Sequence, residues 1–493
     1  MDDEARPGPP PVLTQPGQRE NWLTASLTLA AQTVLLTGPT VLAFFAGGYF
    51  AEAQSWAGLA AWMLVAAGMT SRAALRPRTR AGWVALAGIS LLAAWTLASI
   101  AWAPVAGGAY HAGQLALLYT GMLLAAILLL RSGPVQLWVE PVLALGTLVV
   151  IGYGLSGRML PGLLHFARSV SAQGRLEQPL TYWNAMGELA AIGLVLCARL
   201  AGTPARPEPM RRAALAACVP LGLGLYLSFS RGALFACLAG LLALVVAAPW
   251  RSQLRAVCLS VAAGGLMAAA AAPLAGVTSL SGSLPQRERQ GAIVLAVLII
   301  LSVGAALLEP LAHRRREGRL PLPRRATWLA LLVICAGMSL AIAVGAKEGG
   351  KPPSGAEAGR LASFQSNRYA YWDVALRAFA AQPVRGVGAG GWAVWWLRYR
   401  TVNEFAQDAH SLPLQTMAEL GLVGLLFLGM LCGGLAAACR TAHRVAPSLA
   451  AGPAAALVAY AAHAPLDWDW QMPAVTLVAF VLAGLVVALA EST

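Results

Sequence analysis

The run GAIVLAVLIILSVGAALLE, residues 291–309, carries a single charged residue, Glu309, at its very end. As a helix rising about 1.5 Å per residue it would measure about 28 Å, close to the ~30 Å hydrocarbon core of a bilayer. Comparable apolar runs recur along the whole chain of 493 residues. Composition agrees: 58% of the residues are apolar and 11% are charged, where a soluble domain has about a quarter charged. So few charges cannot cover a water-exposed surface, which excludes a soluble enzyme, a disordered chain and a fibre. In lipid a helix satisfies its own backbone groups. The expected fold is therefore all-α and polytopic, with about 12–14 transmembrane helices and one long extracytoplasmic loop that itself contains helices.

Fourteen spans are expected, near residues 25–50, 53–70, 83–102, 115–130, 141–157, 185–202, 213–229, 233–250, 257–276, 291–309, 326–346, 413–437, 447–464 and 474–490. Only a short SRG turn separates 213–229 from 233–250, so these two are a candidate tight hairpin. With the N-terminus in the cytoplasm, the alternating loops put 21 of the 35 Lys and Arg residues on the cytoplasmic side. Eight of the other fourteen lie in one long outer loop, 347–412. Long loops cross largely regardless of charge, so the bias favours this orientation. The expected organisation is a cytoplasmic tail at 1–24 and a membrane domain at 25–346 with the first eleven spans. The extracytoplasmic loop 347–412, with an amphipathic helix, follows, and 413–493 hold the last three spans. A second long outer loop is 158–184. Chemistry is sought on such loops, which a rigid scaffold holds in place.

The formal charge is +14. In a soluble protein that would suggest nucleic acid, but here basic loops at an anionic inner leaflet account for it. Membrane lipids are expected partners and nucleic acid is not. The seven cysteines, Cys197, Cys218, Cys237, Cys258, Cys335, Cys432 and Cys439, lie within or at the end of apolar runs and form no CxxC pair. Disulfide and zinc readings are therefore weak.

Four stretches carry candidate chemistry. In Ser228-Phe229-Ser230-Arg231-Gly232-Ala233 an arginine stands between two apolar spans at a helix start. A guanidinium beside helix N-terminal amides makes an anion site, against the alternative of an arginine snorkelling to the interface. In 367–379, Trp372, Ala375, Leu376 and Phe379 form a helical stripe that shares its face with Arg368, while Arg377 points to water. Arg368 is then aimed at whatever lies beneath, an anionic ligand or an ion-pair partner such as Asp408. The following GVGAGG, 386–391, lacks the GK[ST] ending of a phosphate loop and reads as a tight turn. In Asp408-Ala409-His410-Ser411-Leu412-Pro413, Ser411 can cap the next helix, which puts His410 at its positive end. That position favours the neutral imidazole, a proton acceptor. Finally, Asp467-Trp468-Asp469-Trp470 is spelled like a metal-holding D-x-D, but interface-belt tryptophans with solvated carboxylates are the better account. No metal site is assigned.

Taken together these motifs resemble the O-antigen ligase and polymerase superfamily of bacterial envelope glycosyltransferases. The likeness rests, in family order, on Gly174-Arg175-Leu176 with Tyr182-Trp183-Asn184-Ala185, on Ser228–Ala233, on Asn367–Phe379 with GVGAGG, and on Asp408–Gly424. His463-Ala464-Pro465-Leu466-Asp467-Trp468 looks like the family's last external turn. The resemblance covers roughly residues 170–470, while the first 150 match only as generic spans. It implies transfer of a glycan from undecaprenyl diphosphate to an acceptor hydroxyl on a lipid, glycan or protein, at the outer face of the plasma membrane. It further implies an inverting reaction without metal or other cofactor. By it, Arg231 and Arg368 hold the diphosphate, Arg175 assists, and His410 is the catalytic candidate. Ligase and polymerase differ only in acceptor. The competing class is a small-anion transporter with Glu188, Glu309 or Glu419 as coupling groups inside the bilayer.

Overall fold

The computed structural model describes residues 16–70, 77–131, 133–313, 355–356, 361 and 366–492, with side chains from residue 24 onward. Sixteen α-helices and no strand occupy these residues. They are α1 (Pro16–Ala43), α2 (Ala51–Thr70), α3 (Arg80–Ala98), α4 (Ala106–Leu129), α5 (Gly133–Met159), α6 (Trp183–Gly202), α7 (Glu208–Leu227) and α8 (Arg231–Ala247). Then come α9 (Arg251–Ala271), α10 (Ala275–Thr278), α11 (Leu284–Ala312), α12 (Arg368–Ala381), α13 (Gly391–Tyr399), α14 (Leu412–Val445), α15 (Pro447–His463) and α16 (Pro473–Ala490). Each expected span on described residues is one of these helices. Ten are long and apolar enough to cross a membrane by length and composition. The expected span near 326–346, the basic segment before it, and most of the tail and of residues 347–365 lie outside the described residues.

Local chemistry sets the helix starts. Thr79 accepts from the Gly82 amide at 3.2 Å to cap α3, and Ser230 accepts from the Ala233 amide at 3.2 Å to cap α8. Pro413, Pro447 and Pro473 stand in the first turns of α14, α15 and α16, where a missing N–H costs nothing.

Two helices, α6 and α16, are buried over essentially their full lengths and form the axis of the molecule. Helix α11 lies at the rim and exposes Ile299, Ile300, Val303 and Leu307. A helix apolar all round with one side uncovered is stable only in lipid. The SRG turn is tight, with Phe229 in the left-handed region at φ 48°. Its two helices do not form the expected hairpin, however. Helix α7 packs on α6, α9 and α11, while α8 packs on α15 and α6.

The connections gather on two faces. On one, Arg131 pairs with Glu491 at 2.9 Å, Arg206 with Glu140 at 2.9 Å and Arg211 with Glu309 at 2.6 Å. Glu309 is thus tied down at the end of its helix rather than offered at the bilayer centre. On the other face the 43–51, 99–105, 159–183, 227–231, 366–411 and 463–473 segments meet. Gly388 packs on Ala103, Leu176 N donates to Leu227 O at 2.8 Å, and Leu412 N donates to Ala464 O at 2.9 Å.

Candidate active site

The second face is organised around the turn between α15 and α16, residues 464–472. Asp467 is fully buried there. Its carboxylate accepts from Arg368 Nη2 at 2.6 Å, from the Tyr182 hydroxyl at 2.6 Å and from the Trp468 amide at 2.9 Å. Asn184 in turn donates to the Tyr182 oxygen at 2.7 Å. Burial pushes the Asp467 carboxyl up, but the Arg368 guanidinium beside it leads the charges that more than offset this and hold it below the usual range. Asp469 faces the other way and accepts from His463 Nδ1. Glu188 Oε2 lies 3.9 Å from that same nitrogen. The two carboxylates therefore serve different partners and form no shared metal cage. The expectation of solvated carboxylates in an aromatic belt is corrected: both are buried, because each has a cation within reach.

Helix α12 delivers Arg368 as the sequence led us to expect, with one correction. Its buried face is Tyr371, Val374, Ala375 and Ala378, while Leu376 is exposed and Trp372 and Phe379 are half-buried. Arg368 is three residues before Tyr371 and stays on that face. Arg377 is exposed and pairs with Asp373 at 2.8 Å. The ion-pair partner of Arg368 is Asp467, 99 residues away, not Asp408.

His410 follows Asp408 on the loop into α14. Its Nδ1 lies 2.9 Å from the Asp408 carbonyl oxygen, to which it can only donate. That fixes the tautomer and leaves Nε2 as a lone-pair acceptor, with no hydrogen bond among the described residues. The ring lies 5.1 Å from the Tyr371 ring and 5.9 Å from the Trp468 ring. Burial lowers the imidazole's pKa below its ordinary value, so it stays neutral. Ser411 does stand at the N-cap of α14, but its side chain makes no capping bond there. Asp408 instead accepts from Gln415 Nε2 at 2.9 Å, and burial pushes its carboxyl up.

Arg231 heads α8, and the next residue, Gly232, packs directly on His463. A Cβ at Gly232 would lie 2.9 Å from His463 Nε2. Arg175 sits beside α6: its guanidinium is 3.6 Å from the Trp183 ring centroid and donates to Ala172 O and Ser171 O, both at 2.7 Å. The Tyr182 ring lies 4.6 Å from that of Trp468, tilted by 48°. Arg368 and His410 thus border the 464–472 turn, whereas Arg175 contacts Ser171, Ala172 and Trp183, and it is Gly232, the neighbour of Arg231, that is placed against His463. The glycan-transfer reading of the sequence assigns no role to Asp467, Asp469, His463, Glu188 or Tyr182, although the D-x-D spelling marks the first two and the transporter reading uses Glu188.

No curated protein matches the chain. Residues 267–429 match the family model described as O-antigen ligase. The matched stretch contains Arg368, the 383–391 loop and His410, and leaves out Arg175, Arg231 and His463. Over about a third of its length, and at the elements that carry Arg368 and His410, the chain is similar to the O-antigen ligase superfamily of membrane glycosyltransferases.

Proposed function

We propose that the protein moves a glycan from undecaprenyl diphosphate to an acceptor hydroxyl, on a lipid or a glycan, at the outer face of the bacterial plasma membrane. The observation that carries this reading is the placement of His410, with Nδ1 on the Asp408 carbonyl and its ring against Tyr371, one turn of α12 after Arg368. In this mechanism Nε2 takes the acceptor's hydroxyl proton as its oxygen attacks the anomeric carbon. The bond from that carbon to the diphosphate oxygen breaks on the opposite face, so the configuration inverts. Arg231 and Arg368, with Arg175 assisting, balance the charge that develops on the leaving diphosphate. Asp467, which also accepts from the Tyr182 hydroxyl, holds the Arg368 guanidinium through Nη2.

The test is transfer in proteoliposomes with an undecaprenyl-diphosphate-linked glycan. His410→Ala should lower turnover by about 10²–10⁴-fold, while the lipid donor still binds. Turnover should persist in EDTA. Normal turnover of the variant would discard His410 as the base, and rescue of an EDTA-inhibited enzyme by Mg²⁺ would bring a metal into the mechanism.

A further inference from the structure

A cavity of about 510 Å³ opens beside Asp408, two residues before His410. Its volume falls in the range of about 300–1,000 Å³ typical of sites for small ligands. The walls come from the 49–54 segment, the start of α4, helix α13, the 405–408 loop and the first turns of α14. A smaller recess of about 50 Å³ continues from it past Gln415 and Glu419 towards Trp468 and Trp470.

The lining has a definite chemistry. Four amides face the cavity, Gln54, Gln407, Gln415 and Gln471, together with the carboxylates of Asp408 and Glu419. Among the described residues no Arg or Lys lines it. Much of this hydrogen-bonding capacity is unspent. Gln407 Oε1 accepts from the Tyr49 hydroxyl at 3.3 Å, which leaves its amide NH₂ free. Gln54 donates to Tyr49 O at 2.9 Å and keeps its carbonyl oxygen. Gln471 makes no side-chain hydrogen bond among the described residues. Tyr49 and the exposed Phe405 add apolar ring faces. Asp408 joins the cavity to the catalytic candidate, because its carbonyl oxygen binds His410 Nδ1 at 2.9 Å while its carboxylate faces the cavity.

Amides offer donors and acceptors side by side, and carboxylates accept from neighbouring hydroxyls. The set, with His111 also in the lining, suits an uncharged polyol, and among the described residues no Arg or Lys lines the cavity to pair with a phosphate. We propose that this cavity is the acceptor subsite and that it takes a neutral sugar residue, not a phosphorylated one. The assignment rests on the transfer reading above for the word acceptor, but the binding it requires does not.

Binding is measured on the purified full-length protein in detergent. The probes are neutral glucose-, galactose- and N-acetylglucosamine-terminated disaccharides and the same sugars as 6-phosphates. At least one neutral sugar should bind, and its phosphate about tenfold or more weaker, because a phosphate would be desolvated there without a lysine or arginine partner. Ala393→Trp, which fills the cavity from α13, should abolish that binding. Should Ala393→Trp fail to fold, Gln54→Arg serves instead and should shift preference towards the phosphorylated sugars. The inference is overturned if no neutral sugar binds, if the phosphates bind more tightly, or if both cavity variants leave binding unchanged. Absence of glycan transfer with any donor would defeat the transfer reading while sugar binding stood. Transfer with an acceptor KM untouched by either variant would do the reverse.

Discussion

At the scale of the residue, the site is a contrast between a neutral base and a tethered cation. His410 is held neutral by burial, so its base form persists as the pH falls past the ordinary imidazole value of ~6.5. The acid limb of kcat/KM, which reports the free enzyme's base, should therefore lie below that value. A limb at or above it would point to another base. Arg368 and Asp467 form the opposite case, an ion pair whose carboxylate is fully buried and whose arginine is half-buried. Asp467→Asn leaves the Arg368 charge without its partner and should cost about 3–5 kcal/mol, read as a lower melting temperature in detergent. In the double variant with Arg368→Met, part of that loss should return, because neighbouring residues do not act additively. The sequence marked Arg368 through its helical face and His410 through its place before a membrane helix. It could not reveal the fate of Asp467 and Asp469. Two carboxylates among tryptophans at a membrane edge have the same spelling whether water solvates them or a cation 99 residues upstream claims one of them.

At the scale of the element, the least legible feature is the break in α14. The sequence Glu419-Leu420-Gly421-Leu422 continues an apolar run without interruption, yet Gly421 leaves the helix at φ 65°, ψ −160°. Side-chain-bearing residues essentially avoid that conformation. The break is paid back by the 383–391 loop, whose glycine-rich spelling suggested only a tight turn. Val387 N and Gly388 N donate to Ala418 O at 3.0 Å and Glu419 O at 2.8 Å. Leu422 N donates to Pro383 O at 2.9 Å, and Trp95 Nε1 to Leu420 O at 3.0 Å. Every polar group named here would otherwise stand unsatisfied near lipid. The loop thus docks into the helix that starts just after His410 and ties α12 and α13 to the membrane body. A Cβ at Gly421 would lie 2.2 Å from Val384 O. Gly421→Ala should cost about 1–3 kcal/mol from backbone strain alone and free the loop, seen as faster proteolysis between residues 381 and 391. A protected loop and an unchanged melting temperature would show that the break is not needed to seat it. The helix at 368–381, in contrast, was readable because its amphipathic period is local, and only the exact buried face shifted once Tyr371 found Trp396 and His410.

At the scale of the whole molecule, alternation of basic and neutral loops predicted two faces, and the described connections do gather on two. The ion pairs Arg131–Glu491, Arg206–Glu140 and Arg211–Glu309 collect on one, and the 464–472 turn with His410 on the other. We propose that the first face meets the cytoplasm, because it carries these arginines and Lys and Arg in short loops stay on the side of the anionic leaflet. On that proposal the site for a lipid-linked glycan faces outward. Single cysteines in a background freed of the native ones test this. Gln382→Cys, exposed after α12, should react with an impermeant thiol reagent in intact spheroplasts, and Ala205→Cys, exposed between α6 and α7, only after permeabilisation. Both positions are on the surface, so a failure to label reports the side of the membrane and not burial. Labelling of Ala205→Cys alone in sealed spheroplasts would turn the molecule over and put His410 in the cytoplasm. Acceptors would then be delivered from inside the cell, and the reaction proposed here would have to precede export of the lipid-linked glycan.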